Sequence, residues 1–184
     1  MKFKILFFIL SAVALSSCVD IPDFSDTPTI YYNGIDQYTE TDSSSGRLQE
    51  TEVVVITIDF EDGDGDLGIT REQLQDSSIT KRYLRVPNWN LEANYELITM
   101  KKQKDGTFTE SILTGDQFKF FYDLKPDGKP GPIKGKLDLY VRFLKSASAV
   151  PTTLKFKVRI IDRAFHISNQ ISEPTDEVVV PVLQ

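Results

Sequence analysis

Cysteine is all but missing: Cys18 is the one example in 184 residues. No disulfide can form within the chain, and zinc centres built on several thiolates are excluded. Histidine is equally scarce. His166 stands alone, which removes the paired-histidine metal motifs, and a lone loop histidine with no evident partner reads as an ordinary residue. Neither a Gly-x-Ser-x-Gly turn nor a phosphate-binding loop occurs, so common signatures of hydrolases and nucleotide-binding enzymes are lacking. Basic residues are outnumbered, 21 Lys and Arg against 27 Asp and Glu, for a net charge of −6. A chain of that sign is a poor match for nucleic acid, and no nucleic-acid partner is expected. No apolar run reaches the ~18 residues of a transmembrane helix. Internal repeats and long low-complexity tracts are also missing.

What is present begins with an address. Lys2 and Lys4 precede an apolar run over residues 5–15, broken only by Ser11, and Leu15-Ser16-Ser17-Cys18 follows at once. The order of basic, apolar and small-residue segments is that of an export signal. Its last four residues resemble the lipobox of bacterial lipoproteins, which implies cleavage before Cys18 and lipidation of its thiol. Several acyl chains on one residue anchor firmly where a single chain is marginal. The expected organisation is a lipoprotein signal peptide at 1–17, a lipidated flexible tether at 18–27, and one domain at 28–184. Loss of Lys2 and Lys4 with the signal takes the formal charge to −8. Asp20, Asp23 and Asp26 in the tether resemble the surface-export signals of Bacteroidota lipoproteins; a solvated acidic spacer is the plainer reading.

Beyond the tether the pattern has period two. Val54, Ile56, Ile58 and Phe60 share one face of a run over residues 51–60, with Thr57 and Asp59 on the other. Leu137, Leu139, Val141 and Phe143 alternate with polar or aromatic residues, and so do Leu154, Phe156, Val158 and Ile160. Such alternation marks strands with one buried face. Further strands are expected over residues 29–35, 95–102, 107–113, 117–124 and 177–183. Asp105-Gly106 suits a tight hairpin, while residues 39–46 and the Pro- and Gly-rich residues 125–135 suit loops. Only residues 70–75 suggest a helix. The fold class is therefore all-β: an antiparallel β-sandwich, immunoglobulin-like, without the disulfide of antibody domains. Trp89 lies in a polar stretch, Pro-Asn-Trp-Asn, and reads either as a core residue or as an exposed one.

The densest chemistry is in Asp59-Phe-Glu-Asp-Gly-Asp-Gly-Asp-Leu-Gly68. Asp62, Asp64 and Asp66 recur at every second position, and three carboxylates so close repel unless a cation sits among them. Oxygen-only ligands on a glycine-containing loop suit a hard cation, so calcium is the expected structural cofactor. The loop is not an EF-hand. Counting from Asp62, the sixth position is Leu67 rather than glycine, and the twelfth is Gln73 rather than a bidentate glutamate. Missing ligands must come from elsewhere. Asp162 continues the inward face of residues 154–160 and should meet the acidic loop at one end of the sandwich; Asp59 is a further candidate. A solvated acidic turn, with Asp162 capping its own loop, is the alternative.

The lipobox, the Pro28-Thr-Ile-Tyr-Tyr strand, the strand running into the acidic loop and the Ile161-Asp-Arg-Ala segment with Ser168-Asn169 together resemble a group of Bacteroidota outer-membrane lipoproteins. That resemblance implies an immunoglobulin-like fold and brings no reaction with it. The expected protein is a membrane-anchored, calcium-binding, non-enzymatic accessory or interaction module at the outer membrane, on its periplasmic or cell-surface face. Its partner would be an outer-membrane protein or a glycan. One rival is a surface glycan-binding lipoprotein that stacks sugars on Trp89, Tyr83 and Tyr95. Another is a hydrolase using paired carboxylates, although 27 acidic residues make such pairs unavoidable. Lys155, Lys157 and Arg159 form a basic stripe that reads as a solvated outer face.

Overall fold

In the computed structural model, which describes residues 22–44, 46–171 and 176–183, the alternation around Val54 becomes the middle strand of a sheet. The export signal, Cys18 and the start of the tether lie outside the described residues. β2 (Gln49–Asp62) is flanked by β1 (Thr29–Asp42) and β5 (Ile133–Leu144), giving the order β1-β2-β5. The second sheet has the order β4-β3-β6-β7, from β3 (Tyr95–Lys102), β4 (Phe108–Ser111), β6 (Ala149–Ile160) and β7 (Val178–Leu183). All pairings between named strands are antiparallel. The inward rows Val54–Phe60, Leu137–Phe143 and Leu154–Ile160 meet in a single core with Leu97, Tyr95 and Val180. Each such side chain removed from water contributes about 1.5–3 kcal/mol before entropy is counted. The order is immunoglobulin-like with one exchange: the fourth strand pairs with the third instead of the fifth.

Several expectations need correcting. β1 does not stop at residue 35. It continues through Asp42, with Thr41 opposite Glu50, so the first half of the expected polar loop at 39–46 is strand. Residues 117–124 do not form a strand. Asn94 is fully buried and takes the Phe121 backbone for itself, donating to its carbonyl and accepting from its N–H, both at 2.9 Å. Ile69 engages the same stretch through the Phe121 carbonyl and the Asp123 N–H. With those groups committed, only an isolated parallel bridge from Tyr122 to Ile69 remains.

The helix expected at residues 70–75 is present, and among the described residues a second short α-helix follows it. In α1 (Arg71–Gln75) the Thr70 hydroxyl accepts from the Gln73 N–H, while the Gln73 side chain accepts from the Thr70 N–H. The second, α2 (Ser77–Tyr83), starts at Asp76, whose carboxylate accepts from the Ser78 N–H. Behind them lies a small second core of Ile69, Tyr83, Trp89 and Ile161. Trp89 is only 2% exposed, and its indole N–H donates to the Ala93 carbonyl. Its polar neighbours have a backbone reason: Asn88 and Asn90 adopt positive φ of 64° and 57°, which asparagine tolerates best after glycine.

The basic stripe on β6 is matched by acidic residues in or beside its own sheet. Lys155 faces Glu177, Lys157 reaches Glu110 at 2.6 Å, and Arg159 binds Glu96 while stacking over Trp89.

Candidate metal centre

Two inward faces end on carboxylates. On β2 the row Val54, Ile56, Ile58, Phe60 continues to Asp62; on β6 the row Leu154 to Ile160 continues to Asp162. The two strands lie in different sheets, so the apolar core is closed at this end by facing carboxylates that are both 0% exposed. Asp66 turns back from the loop to join them. Asp62, Asp66 and Asp162 each present an oxygen within 4.8 Å of the others. The turn that returns Asp66 runs through Gly65 at φ +74°, where a Cβ would lie 2.3 Å from the Gly131 carbonyl oxygen.

The expected site residues divide accordingly. Asp62, Asp66 and Asp162 come together. Asp64 sits beside them, half-buried, with its carboxylate accepting the Asp66 N–H at 3.3 Å, but it is not one of the three that converge. Asp59 points away. Its odd position puts it on the outer face, where it accepts from the Asn33 amide at 2.7 Å. Gln73, in the place of an EF-hand glutamate, is occupied by the cap of α1.

The polar partners of the trio are incomplete. Asp62 Oδ2 accepts the Asp66 N–H at 3.0 Å. Asp66 is approached by the backbone N–H groups of Arg163 and Ala164 from the other loop. Asp162 is fully engaged: the His166 N–H donates to Oδ1 at 2.7 Å and the ring Nδ1 lies 2.9 Å from Oδ2. Asp62 Oδ1 and Asp66 Oδ1 are buried and have no hydrogen-bond partner among the described residues. Leaving buried carboxylate oxygens unpaired carries a desolvation cost of order 1–3 kcal/mol, more for charged groups.

The electrostatics follow. Burial, reinforced by Asp64, Asp66 and Asp162, pushes the Asp62 carboxyl up to about 7. Burial also lifts Asp162 to about 6, with the His166 N–H opposing and Asp66 reinforcing the rise. Asp66 is raised chiefly by burial and then by Asp64. His166 is raised, first by the Asp162 charge. Burial, then Asp162 and Asp66, lift the nearby Tyr83 hydroxyl to about 12. Three acids with raised values in one cluster form an oxygen-only donor set that protons and cations compete to fill.

Sequence reasoning passed over His166. Its pairing with Asp162, four residues away, depends on a tight turn that closes at Phe165 with φ 71°, for which the sequence carries no residue-type signal. The aromatic trio proposed for sugar stacking is buried: Tyr83, Trp89 and Tyr95 all lie within the two cores. No family model matches the chain, and comparison with curated proteins and with solved structures returned no match.

Proposed function

We propose that this is a membrane-anchored, calcium-stabilised lipoprotein that serves as a non-enzymatic accessory or interaction module at the outer membrane. One observation carries the calcium reading: two buried carboxylate oxygens, Asp62 Oδ1 and Asp66 Oδ1, lack partners within a trio spaced to share one ion. A cation there removes the mutual repulsion and satisfies both oxygens. Calcium suits oxygen ligands in irregular geometry; magnesium demands a near-ideal octahedron, and zinc favours nitrogen and sulfur. Ligands from both sheets make the ion a staple across the end of the sandwich. Calorimetric titration with calcium, compared with magnesium, tests this reading.

The anchoring part rests on the Leu15–Cys18 motif and on the resemblance to Bacteroidota lipoproteins. The non-enzymatic part is supported by burial. Asp62 and Asp162 are closed off from solvent, which suits a structural ion better than a substrate. Purifying the lipoprotein from native membranes and identifying what accompanies it tests the accessory role.

A groove supports glycan binding as a second reading, though not at the residues first expected. Phe118, 64% exposed, and Tyr140, 40% exposed, border a groove of about 630 Å³ that also holds Asp116, Lys119 and Arg142. Exposed rings beside charged groups are a sugar-binding composition. Retention on immobilised polysaccharide, lost in Phe118→Ala and Tyr140→Ala, is the outcome this reading requires.

A further inference from the structure

We propose that the same ion clasps the N-terminal approach segment, residues 24–26, onto the sandwich and so sets how closely the domain is held to its anchor. This rests on the calcium and anchoring readings above and extends them to a mechanical consequence.

The segment touches both loops that the ion would join. From the acidic loop, the Gly63 N–H donates to the Ser25 carbonyl at 2.8 Å. The approach is too close for any side chain: a Cβ on Gly63 would lie 2.3 Å from the Phe24 carbonyl oxygen and 2.8 Å from the Ser25 carbonyl carbon. From the other loop, the Asp26 backbone comes up beside the His166 ring, which also holds Asp162. Just beyond, Asn169 receives the Ile30 N–H and donates to the Ile30 carbonyl, both at 2.8 Å. Gly63 follows Asp62 directly, and His166 is bonded to Asp162. Each contact of residues 24–26 is therefore one step from a carboxylate of the trio.

Without a cation, the trio's repulsion pushes the two loops apart, and the platform under residues 24–26 divides. With it, the platform is held as one piece. Phe24 lies six positions after Cys18, a reach of at most about 21 Å, whereas release back to Ile30 would allow about 40 Å. Calcium would thus hold the sandwich near the lipid surface with its acidic end facing it. The coupling is reciprocal: if calcium favours docking, the docked segment favours calcium by the same factor.

The test is hydrogen exchange by mass spectrometry on the full chain in detergent, with chelator and then with millimolar calcium, alongside calorimetry on the same sample. Expected are a heat of binding and at least tenfold slower exchange for residues 23–29 and for the Gly63 amide. Gly63→Ala places a methyl group against Phe24 while keeping all three carboxylates. It should leave residues 23–29 fast-exchanging in calcium and weaken calcium binding at least fivefold. The wild-type comparison stands even if that variant folds poorly. Calcium binding with unchanged exchange at residues 23–29 would overturn the clasp and leave the metal centre standing. Absence of a binding heat would overturn both.

Discussion

His166 holds both carboxylate oxygens of Asp162, with its main-chain N–H 2.7 Å from Oδ1 and its ring Nδ1 2.9 Å from Oδ2. The only histidine in the chain therefore orients the one candidate ligand contributed from outside the acidic loop. Groups that orient a ligand are worth about 10–100-fold in metal affinity. His166→Ala should weaken calcium binding by about tenfold or more, measured by calorimetry, and should also lower the unfolding midpoint in chelator, because the buried Asp162 Oδ2 loses its ring partner. A large loss of stability with unchanged affinity would assign His166 a purely structural role.

Proton and calcium should compete. Asp62 and Asp162 have folded-state values of about 7 and about 6, above the ordinary 3.8. The folded state thus holds protons more tightly than the unfolded chain. The stability they contribute is full below about pH 4 and is lost as pH rises through about 6 to 7. The raised His166 acts in the same direction. In chelator, the unfolding midpoint should fall between pH 5 and pH 8, and the gain on adding calcium should be largest at pH 8. A calcium gain that is larger at pH 5 would mean that these carboxylates are not the ligands.

Trp89 tests the second core. Its ring is buried under the helices, with Arg159 5.1 Å from its centroid and its N–H on Ala93. Trp89→Ala should cost about 3–5 kcal/mol, read from urea unfolding. A change below about 1 kcal/mol would show that the ring is not packed as described.

How much of this could be read in the sequence differs by element. Strands β5 and β6 were legible because each has one buried and one largely polar face, and β2 because its inward row alternates from Val54 to Phe60 although Val53 and Val55 on the other face are buried too; extending two of the inward rows by one step led to Asp62 and Asp162. The far half of β1 was hidden, because Thr39, Glu40, Thr41 and Asp42 are all exposed there and show no alternation. Residues 117–124 looked like a strand by composition, yet Asn94 and Ile69 claim the backbone groups that a ladder would need. The helix α2 carries its cap signal, Asp76-Ser-Ser, but at seven residues it is too short for a strong period. The Asp162–His166 bond depends on a turn at positive φ that no residue-type pattern announces.

Anchoring has its own test. Cys18→Ala should abolish fatty-acid labelling and release the protein from the membrane fraction, since the chain has no other cysteine. A labelled, membrane-bound variant would remove the lipid anchor from the account.

The calcium staple across Asp62, Asp66 and Asp162 stands or falls on thermal unfolding in chelator followed by millimolar calcium. Because the ion would bind only the folded state, the midpoint should rise, with about 2.7 kcal/mol gained at a hundredfold excess over the dissociation constant. Asp62→Asn and Asp162→Asn should each reduce that gain, and magnesium should reproduce it poorly. A midpoint that stays the same in chelator and in calcium, with no heat of binding, would mean that no ion bridges the two sheets.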